Sequence, residues 1–446
     1  MQAETSGSQT QPEERAGREG GAGTPTLLLV SLARRDAVAL PADGEITIGR
    51  GRSGATRDRF HAVDDEMLSR SHLRITRQEQ GHVVEDLASL NGTFVDGRRL
   101  TAPARLREGS VLFFGGQIAI YRCVSDAAGR ALQQEVAAPF GSVPTSSPSL
   151  ALLFARLRRL ARTDAEILLV GERGIDKEDC ARAIHRASGR PGQFVTVDCA
   201  SLPEAQLESE LFGQPAGASP TPVSAETGLI GSADGGTLLL DDVGAIPAAA
   251  QARIFRLVRD GGVRRRVDVR LIAGTTQVDA VPGPGATGDH LLARLAADPN
   301  LLPPLRERPE DIPALVAHSV AQRVPGVEPA ALRALCLYSW PLNVHELQKV
   351  IRNALAIAED GELRLEHLSA PVRAALERGP LVAVPRRSPR VAPERAELEQ
   401  LLRDNDGNVA EVARTLDRKW NVVWRWLVRL GLDPEKFRGK SRPPRE

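Results

Sequence analysis

The chain is poor in cysteine: four in 446 residues, at Cys123, Cys180, Cys199 and Cys336, with no C-x-x-C spacing. That argues against a structural zinc site or a disulfide framework and fits a reducing compartment. It also lacks an excess of either charge, with 58 basic against 57 acidic residues. No global field therefore advertises a polyanionic partner, and any such partner has to be met by a local basic surface. No apolar run approaches the roughly 18 residues that span a bilayer, so no membrane-spanning helix and no membrane partner are expected. The N-terminus has no basic-then-apolar signal pattern, so a cytoplasmic location is expected. No internal repeat is present.

What is there divides into three stretches. Residues 1–24 are mainly Gly, Glu, Gln, Ser and Thr, and a disordered N-terminus is expected. From 25 to 126, short apolar runs (TLLLVSL, EITIGR, HLRITR, HVVEDL, SVLFFGG, IAIYRC) are broken by Gly and Asp-Gly turns, the pattern of an all-β sandwich. A Pro/Ser-rich stretch near 138–149 reads as a separator. Between 145 and 312, strand-like runs (ILLV, FVTVDC, TLLLDD, VRLIAGTT) alternate with helical ones, which implies a parallel sheet covered on both faces. Residues 313–375 read as a helical subdomain, 376–394 as a Pro/Arg-rich linker, and 395–446 as a small all-α unit. The fold class expected is therefore multidomain, with an all-β, an α/β and an all-α part.

In the first stretch, three separated motifs stand in order: Gly49-Arg50, Ser69-Arg70-Ser71-His72 and Asn91-Gly92-Thr93. A guanidinium and a hydroxyl suit the acceptor oxygens of a phosphate dianion, and loops on a rigid scaffold are where such groups are best presented. The bland alternative is a sandwich whose Arg and Ser only cap turns. The motifs resemble those of the forkhead-associated (FHA) domain. That resemblance implies that Arg50 and Ser69 contact a phosphothreonine, with Arg70 nearby. Asn91 would bond the peptide backbone and His72 would shape the loop. A phosphothreonine-containing protein is the partner it implies.

In the second stretch, GERGIDKE (171–178) follows a strand and precedes a helix, the context of a phosphate-cradling loop. With AIHRASGR, ESELFG, ADGGTLLLDDVG, LPPLRERPEDIP and SWPLNVHELQKVI, it resembles the AAA+ domain of sigma-54-dependent activators. The resemblance implies an ATP site with magnesium. Gly171, Gly174 and Lys177 would hold phosphates, Asp241 would be the magnesium-side carboxylate, and Asp242 would polarise water. Arg294 would serve a neighbouring subunit in a homo-oligomer. Several positions depart from the family pattern. Asp176 stands where the family has Gly, putting a carboxylate beside the phosphates and removing permissive glycine geometry. Asp242 replaces Glu with a side chain one methylene shorter, and a displacement of about an ångström costs on the order of a hundredfold in rate. His345 replaces an Arg and cannot supply a permanently charged fork. Gly288 occupies the place of a second finger arginine. The loop that engages sigma-54 in the family, GAFTGA, reads GASPTP (217–222), stiffened by two prolines and without its aromatic anchor. A degenerate domain is expected, acting as scaffold or nucleotide sensor with weak or no hydrolysis.

The third stretch, GNVAEVARTLDRKWNVVWRWLVRLGL (407–432), has the spacing of two helices and a tight turn, with Val409, Val412, Ala413, Leu416, Val423, Leu427 and Leu430 on one apolar face. It resembles the Fis-type helix-turn-helix, which implies promoter or enhancer DNA as partner. Asn421, Arg425 and Arg429 would stand on the recognition helix and Lys419 at the turn. Three tryptophans, Trp420, Trp424 and Trp426, fit packing or dimerisation better than DNA contact. Taken together, the residues predict a transcriptional regulator that reads a phosphothreonine signal and binds DNA. Two alternatives stay open: an ATP-hydrolysing activator that works with RNA polymerase and sigma-54, and an adaptor that binds no DNA.

Overall fold

A computed structural model describes residues 23–32, 35–51, 56–57, 59–213, 228–247, 249–254, 268–276, 295, 299–320, 326–358, 362–378, 395–405, 412, 415–416 and 423. The first strand begins at Thr24, inside the segment expected to be disordered. It opens a sandwich of two six-stranded sheets. One sheet runs Arg35–Ala39, Thr24–Val30, Gln117–Val124, Val111–Phe114, Thr93–Val95, Arg98–Arg99. The other runs Ala104–Arg105, Gly81–Asp86, Leu73–Gln78, Glu45–Arg50, Phe60–Val63, Thr56–Arg57. Pairing is antiparallel except between Glu45–Arg50 and Phe60–Val63. Alternation along the strands sends Leu27, Ile48, Leu73, Ile75, Val84 and Leu112 into a common core, the solution a half-buried sheet requires.

The stretch expected to separate the sandwich from the rest instead joins it. Helix Asp126–Ala137 follows the last strand, and the Ser125 side chain accepts from the Ala128 N–H at its start. Its Glu135, 1% exposed, lies 2.6 Å from Arg158 of helix Pro148–Ala161. At the start of that second helix, the Asp311 carboxylate accepts from the Thr145 hydroxyl and the Ser146 and Ser147 N–H groups, at 2.6–3.1 Å. Proline at its first turn costs no hydrogen bond there.

The central sheet is parallel, in the order Phe194–Asp198, Thr237–Asp241, Arg270–Thr275, Ile167–Val170, Asn300–Leu301. TLLL and ILLV are buried on both faces, as unbroken apolar runs require. The first strand of the sheet, Ile167–Val170, lies between the fourth and the fifth. The strand order reverses there, and a crevice opens at the carboxyl ends. Helices Ile312–Val320, Pro329–Leu337 and Asn343–Ile357 form the lid around fully buried Trp340. Helix Ala375–Arg378 carries the lid into the first residues of the expected linker. No described helix is long and apolar enough to cross a membrane. Most of the expected helix-turn-helix lies outside the described residues. Of its apolar face, Val412 and Val423 are described and fully buried.

Candidate functional sites: a loop cluster on the sandwich and a cleft on the parallel sheet

The three sandwich motifs meet at one end of the sheets. Strand Glu45–Arg50 delivers Arg50, whose backbone N–H donates to the Ser69 carbonyl at 2.9 Å and whose side chain is left exposed. Gly49 beneath it is required, because a Cβ there would stand 2.0 Å from the Arg70 carbonyl oxygen. The Ser69 hydroxyl accepts from the Leu90 N–H at 3.0 Å, which leaves its own proton free to donate. Asn91 donates to the Met67 carbonyl at 2.7 Å. Arg50, Ser69, Arg70 and Asn91 are thus brought together by the backbone of two loops.

His72 sets that loop geometry. It is fully buried, its Nδ1 accepts from the Ser69 N–H at 3.2 Å, and its Nε2 faces the Gly92 carbonyl at 3.3 Å. An accepting Nδ1 fixes the neutral tautomer with the proton on Nε2. Burial holds the His72 pKa below its ordinary value, with the Gly92 carbonyl opposing. Under the same loops, burial opposes ionisation of Asp86, but donors from Thr93 and Ser89 outweigh it and hold the carboxyl below its usual range.

His61 and His82, also buried in the sandwich, are lowered by burial too. A histidine whose folded pKa lies below 6.5 takes up its proton more readily in the unfolded chain. The stability is complete above about pH 6.5 and is lost as the pH falls from there toward the folded values. Amide exchange in strands Leu73–Gln78 and Gly81–Asp86, corrected for its intrinsic pH dependence, should therefore quicken by about tenfold between pH 7 and 5.5, equivalent to roughly 1.4 kcal/mol. Exchange independent of pH across that window contradicts the assignment of these three histidines.

The second site lies at the carboxyl end of the parallel sheet. Lys177, 6% exposed at the start of helix Lys177–Ser188, places Nζ 3.5 Å from Oδ1 of Asp241 at the end of strand Thr237–Asp241. The cradle under this pair needs Gly274, where a Cβ would meet Asp241 Oδ1 at 2.3 Å and Lys177 Cε at 3.2 Å. Burial raises the Asp241 pKa and Lys177 opposes the rise. Gly171 follows the first strand, and Gly174 adopts φ +73° with the lid pressed against it.

Asp176 was expected to spoil the loop partly by removing glycine geometry, and here the structure differs. Its φ of 62° and ψ of 46° are the left-handed conformation a glycine would take. Aspartate is among the few residues that tolerate that region, so the loop keeps its shape and the departure is one of charge. The residue as a whole is exposed, and it lines the cavity between the loop and the lid. Enclosure there, followed by the nearby Asp179, pushes its pKa up to about 6. Asp242 is left-handed as well, with φ 50°.

Residues that no motif marks for the task hold the loop. Asn343, fully buried, donates to the Arg173 carbonyl at 3.0 Å and accepts from the Leu305 N–H at 2.8 Å. Arg306 grips Glu172 through two bonds of 2.7 Å, and the His345 N–H donates to the Gly174 carbonyl at 3.1 Å. The lid therefore rests directly on the phosphate loop. Between them lies a cavity of about 80 Å³ lined by Ile175, Asp176, Cys180, Leu302, Arg308 and Val344. Arg294, Gly288, the GASPTP segment and the four DNA candidates Lys419, Asn421, Arg425 and Arg429 lie outside the described residues.

A parallel sheet in this order, with a lysine loop after its first strand, an acidic end on a neighbouring strand and a helical lid, defines an AAA+-type domain joined to an FHA-like sandwich. Comparison agrees: the Sigma-54 interaction domain family matches residues 143–293, the AAA+ ATPase lid domain 306–381 and the FHA domain 46–115. The Escherichia coli regulatory protein AtoC is 33% identical over 66% of this chain and 69% of its own. The transcriptional regulatory protein GlrR of the same organism is 34% identical over 72% and 75%. The alginate biosynthesis transcriptional regulatory protein AlgB of Pseudomonas aeruginosa is 38% identical over 53% of this chain, which spans 57% of that relative. The chain belongs to the sigma-54-dependent transcriptional regulator family.

Proposed function

We propose that this protein is a transcriptional regulator directed by a phosphothreonine-containing partner, in which the AAA+ domain serves as scaffold or nucleotide sensor. The observation that carries the reading is the loop network around His72, which presents Arg50, Ser69, Arg70 and Asn91 together. Exposed guanidinium, free hydroxyl proton and side-chain amide are the donors that a phosphorylated residue and its flanking backbone call for. In the cleft, Lys177 would meet nucleotide phosphates and Asp241 the magnesium ion that accompanies them. Asp176 opposes phosphate by its charge, and Asp242 sits back by one methylene from where the family has its water-polarising carboxylate. Nucleotide held without efficient turnover is the behaviour this set favours. The altered GASPTP segment weighs against direct remodelling of sigma-54 polymerase, and a homo-oligomer is proposed because the resemblance has Arg294 serve a neighbouring subunit.

The output proposed is promoter or enhancer DNA bound through residues 407–432. Full-length protein should bind duplex DNA with an affinity that falls steeply with salt, and Arg425→Ala should weaken it by roughly tenfold, about 1–3 kcal/mol for a base or phosphate contact. A band-shift titration at several salt concentrations reads both effects. Absence of salt-sensitive binding, with no change on Arg425→Ala, would instead leave an adaptor that binds no DNA.

A further inference from the structure

The outer face of the first sandwich sheet is not a free surface. Val111, Phe113, Ile118 and Ile120 alternate with residues of the sandwich's own core, and they are buried in one cluster with Ile312, Leu332 and Leu335 of the lid. This explains why all four residues of strand Val111–Phe114 are buried. Two polar ties cross the same boundary. Arg122, on the last sandwich strand, places Nε 3.2 Å and Nη2 2.8 Å from the carboxylate of Glu310, whose side chain is fully buried, and donates to the Glu307 carbonyl at 2.7 Å. The Arg333 guanidinium of helix Pro329–Leu337 stands 4.9 Å over the ring of Phe94. Phe94 lies three residues after Asn91, so the short strand that follows the peptide-side loop lays its middle residue against the lid. Elsewhere on the lid, Asn343 and His345 hold the phosphate loop.

We propose that the sandwich is a clamp on the AAA+ lid, and that strand Thr93–Val95 is the lever through which a phosphorylated peptide at Asn91 alters the lid's freedom to leave the phosphate loop. The lever rests on the phosphothreonine reading above, whereas the clamp does not. Packed boundaries of this kind switch between discrete arrangements rather than deforming smoothly. Coupling between the two ends is also reciprocal: if bound peptide shifts the lid–loop equilibrium by some factor, freeing the lid shifts peptide affinity by that factor so long as the lever is intact.

Hydrogen–deuterium exchange on the full chain tests both parts. Phe94→Ala removes the ring beneath Arg333, and Arg122→Met leaves the Glu310 carboxylate buried without its partner. In each variant, amides of Pro329–Leu337 and Asn343–Ile357 should exchange about tenfold faster, while strands Ile167–Val170 and Thr237–Asp241 keep their rates. If Arg122→Met also speeds the central strands, the whole fold has loosened and Phe94→Ala alone decides. Unchanged lid exchange in Phe94→Ala overturns the clamp. A pool of phosphothreonine peptides, with its unphosphorylated twin as control, supplies the second arm, and anisotropy reports binding separately. Bound peptide should change lid exchange at least about threefold in wild type and not in Phe94→Ala. Binding without any change at the lid overturns the lever. No binding overturns the reading of the loops and the lever with it, while the two variants still decide the clamp.

Discussion

Arg50→Ala is expected to weaken binding of a phosphothreonine peptide by roughly 30- to 150-fold, equivalent to about 2–3 kcal/mol for a charge-assisted hydrogen bond that loses its donor. The fold should be indifferent to the change. The side chain is exposed, and the bond that Arg50 contributes to the loop comes from its backbone N–H, which alanine retains. Arg50→Lys keeps the charge but loses the fork, and should recover only part of the affinity. Ser69→Ala should cost less, about 1 kcal/mol, since it removes one donor and the acceptor of the Leu90 N–H. Fluorescence anisotropy with a phosphothreonine peptide and its unphosphorylated twin reads all three variants, with thermal melts as the control for folding. Affinity that survives Arg50→Ala within twofold would place the phosphate elsewhere.

That prediction was open to the sequence because the three motifs lie on local turns. Gly49-Arg50, Ser69 to His72 and Asn91-Gly92-Thr93 carry both the chemistry and the backbone punctuation that shapes it. The principal strands were legible for the same reason: EITIGR, HLRITR and HVVEDL alternate and end in turn residues, while ILLV and TLLL are unbroken apolar runs. Strand Arg35–Ala39 was not legible, since four of its five residues are exposed or charged and only Val38 is buried. Helix Asp126–Ala137 hides behind Gly129 and a polar surface. The docking of the sandwich on the lid had a signal that went unread. In SVLFFGGQIAIYRC the apolar residues do not alternate with polar ones, as a sheet with one wet face would require. The grip on the phosphate loop had none. Asn343 and Arg306 reach Arg173 and Glu172 across more than 130 residues, and no spacing announces a contact of that range.

The cleft gives the second large effect. Asp176→Gly should raise the affinity for ATP by about five- to tenfold at pH 7, since a carboxyl whose pKa is about 6 protonates rather than bear a larger penalty. A carboxylate about 4 Å from a phosphate charge costs between roughly 1 and 4 kcal/mol, according to how much water screens it. Stability should move by less than about 1 kcal/mol, because relief of the left-handed backbone offsets the extra entropy of glycine in the unfolded chain. Asp176→Asn separates charge from shape: it tolerates the same φ and should recover most of the gain. The pH dependence gives an independent check on the cause. With its pKa pushed up to about 6, Asp176 is mostly ionised at pH 7 and mostly protonated at pH 5.5. The repulsion should therefore fade as the pH falls, so that the affinities of wild type and Asp176→Gly converge toward pH 5.5. Using the ratio of the two proteins cancels the titration of the nucleotide itself. Adding Lys177→Ala should abolish the gain, since Lys177 is the buried cation that faces Asp241 across the cradle. Turnover is a separate matter, because Asp242 remains short by one methylene in either background. Magnesium-dependent phosphate release should stay slow in Asp176→Gly even where nucleotide is bound. Brisk release by the wild-type protein, lost on Lys177→Ala, would show that the carboxylate at 176 is tolerated and that the domain is a working ATPase.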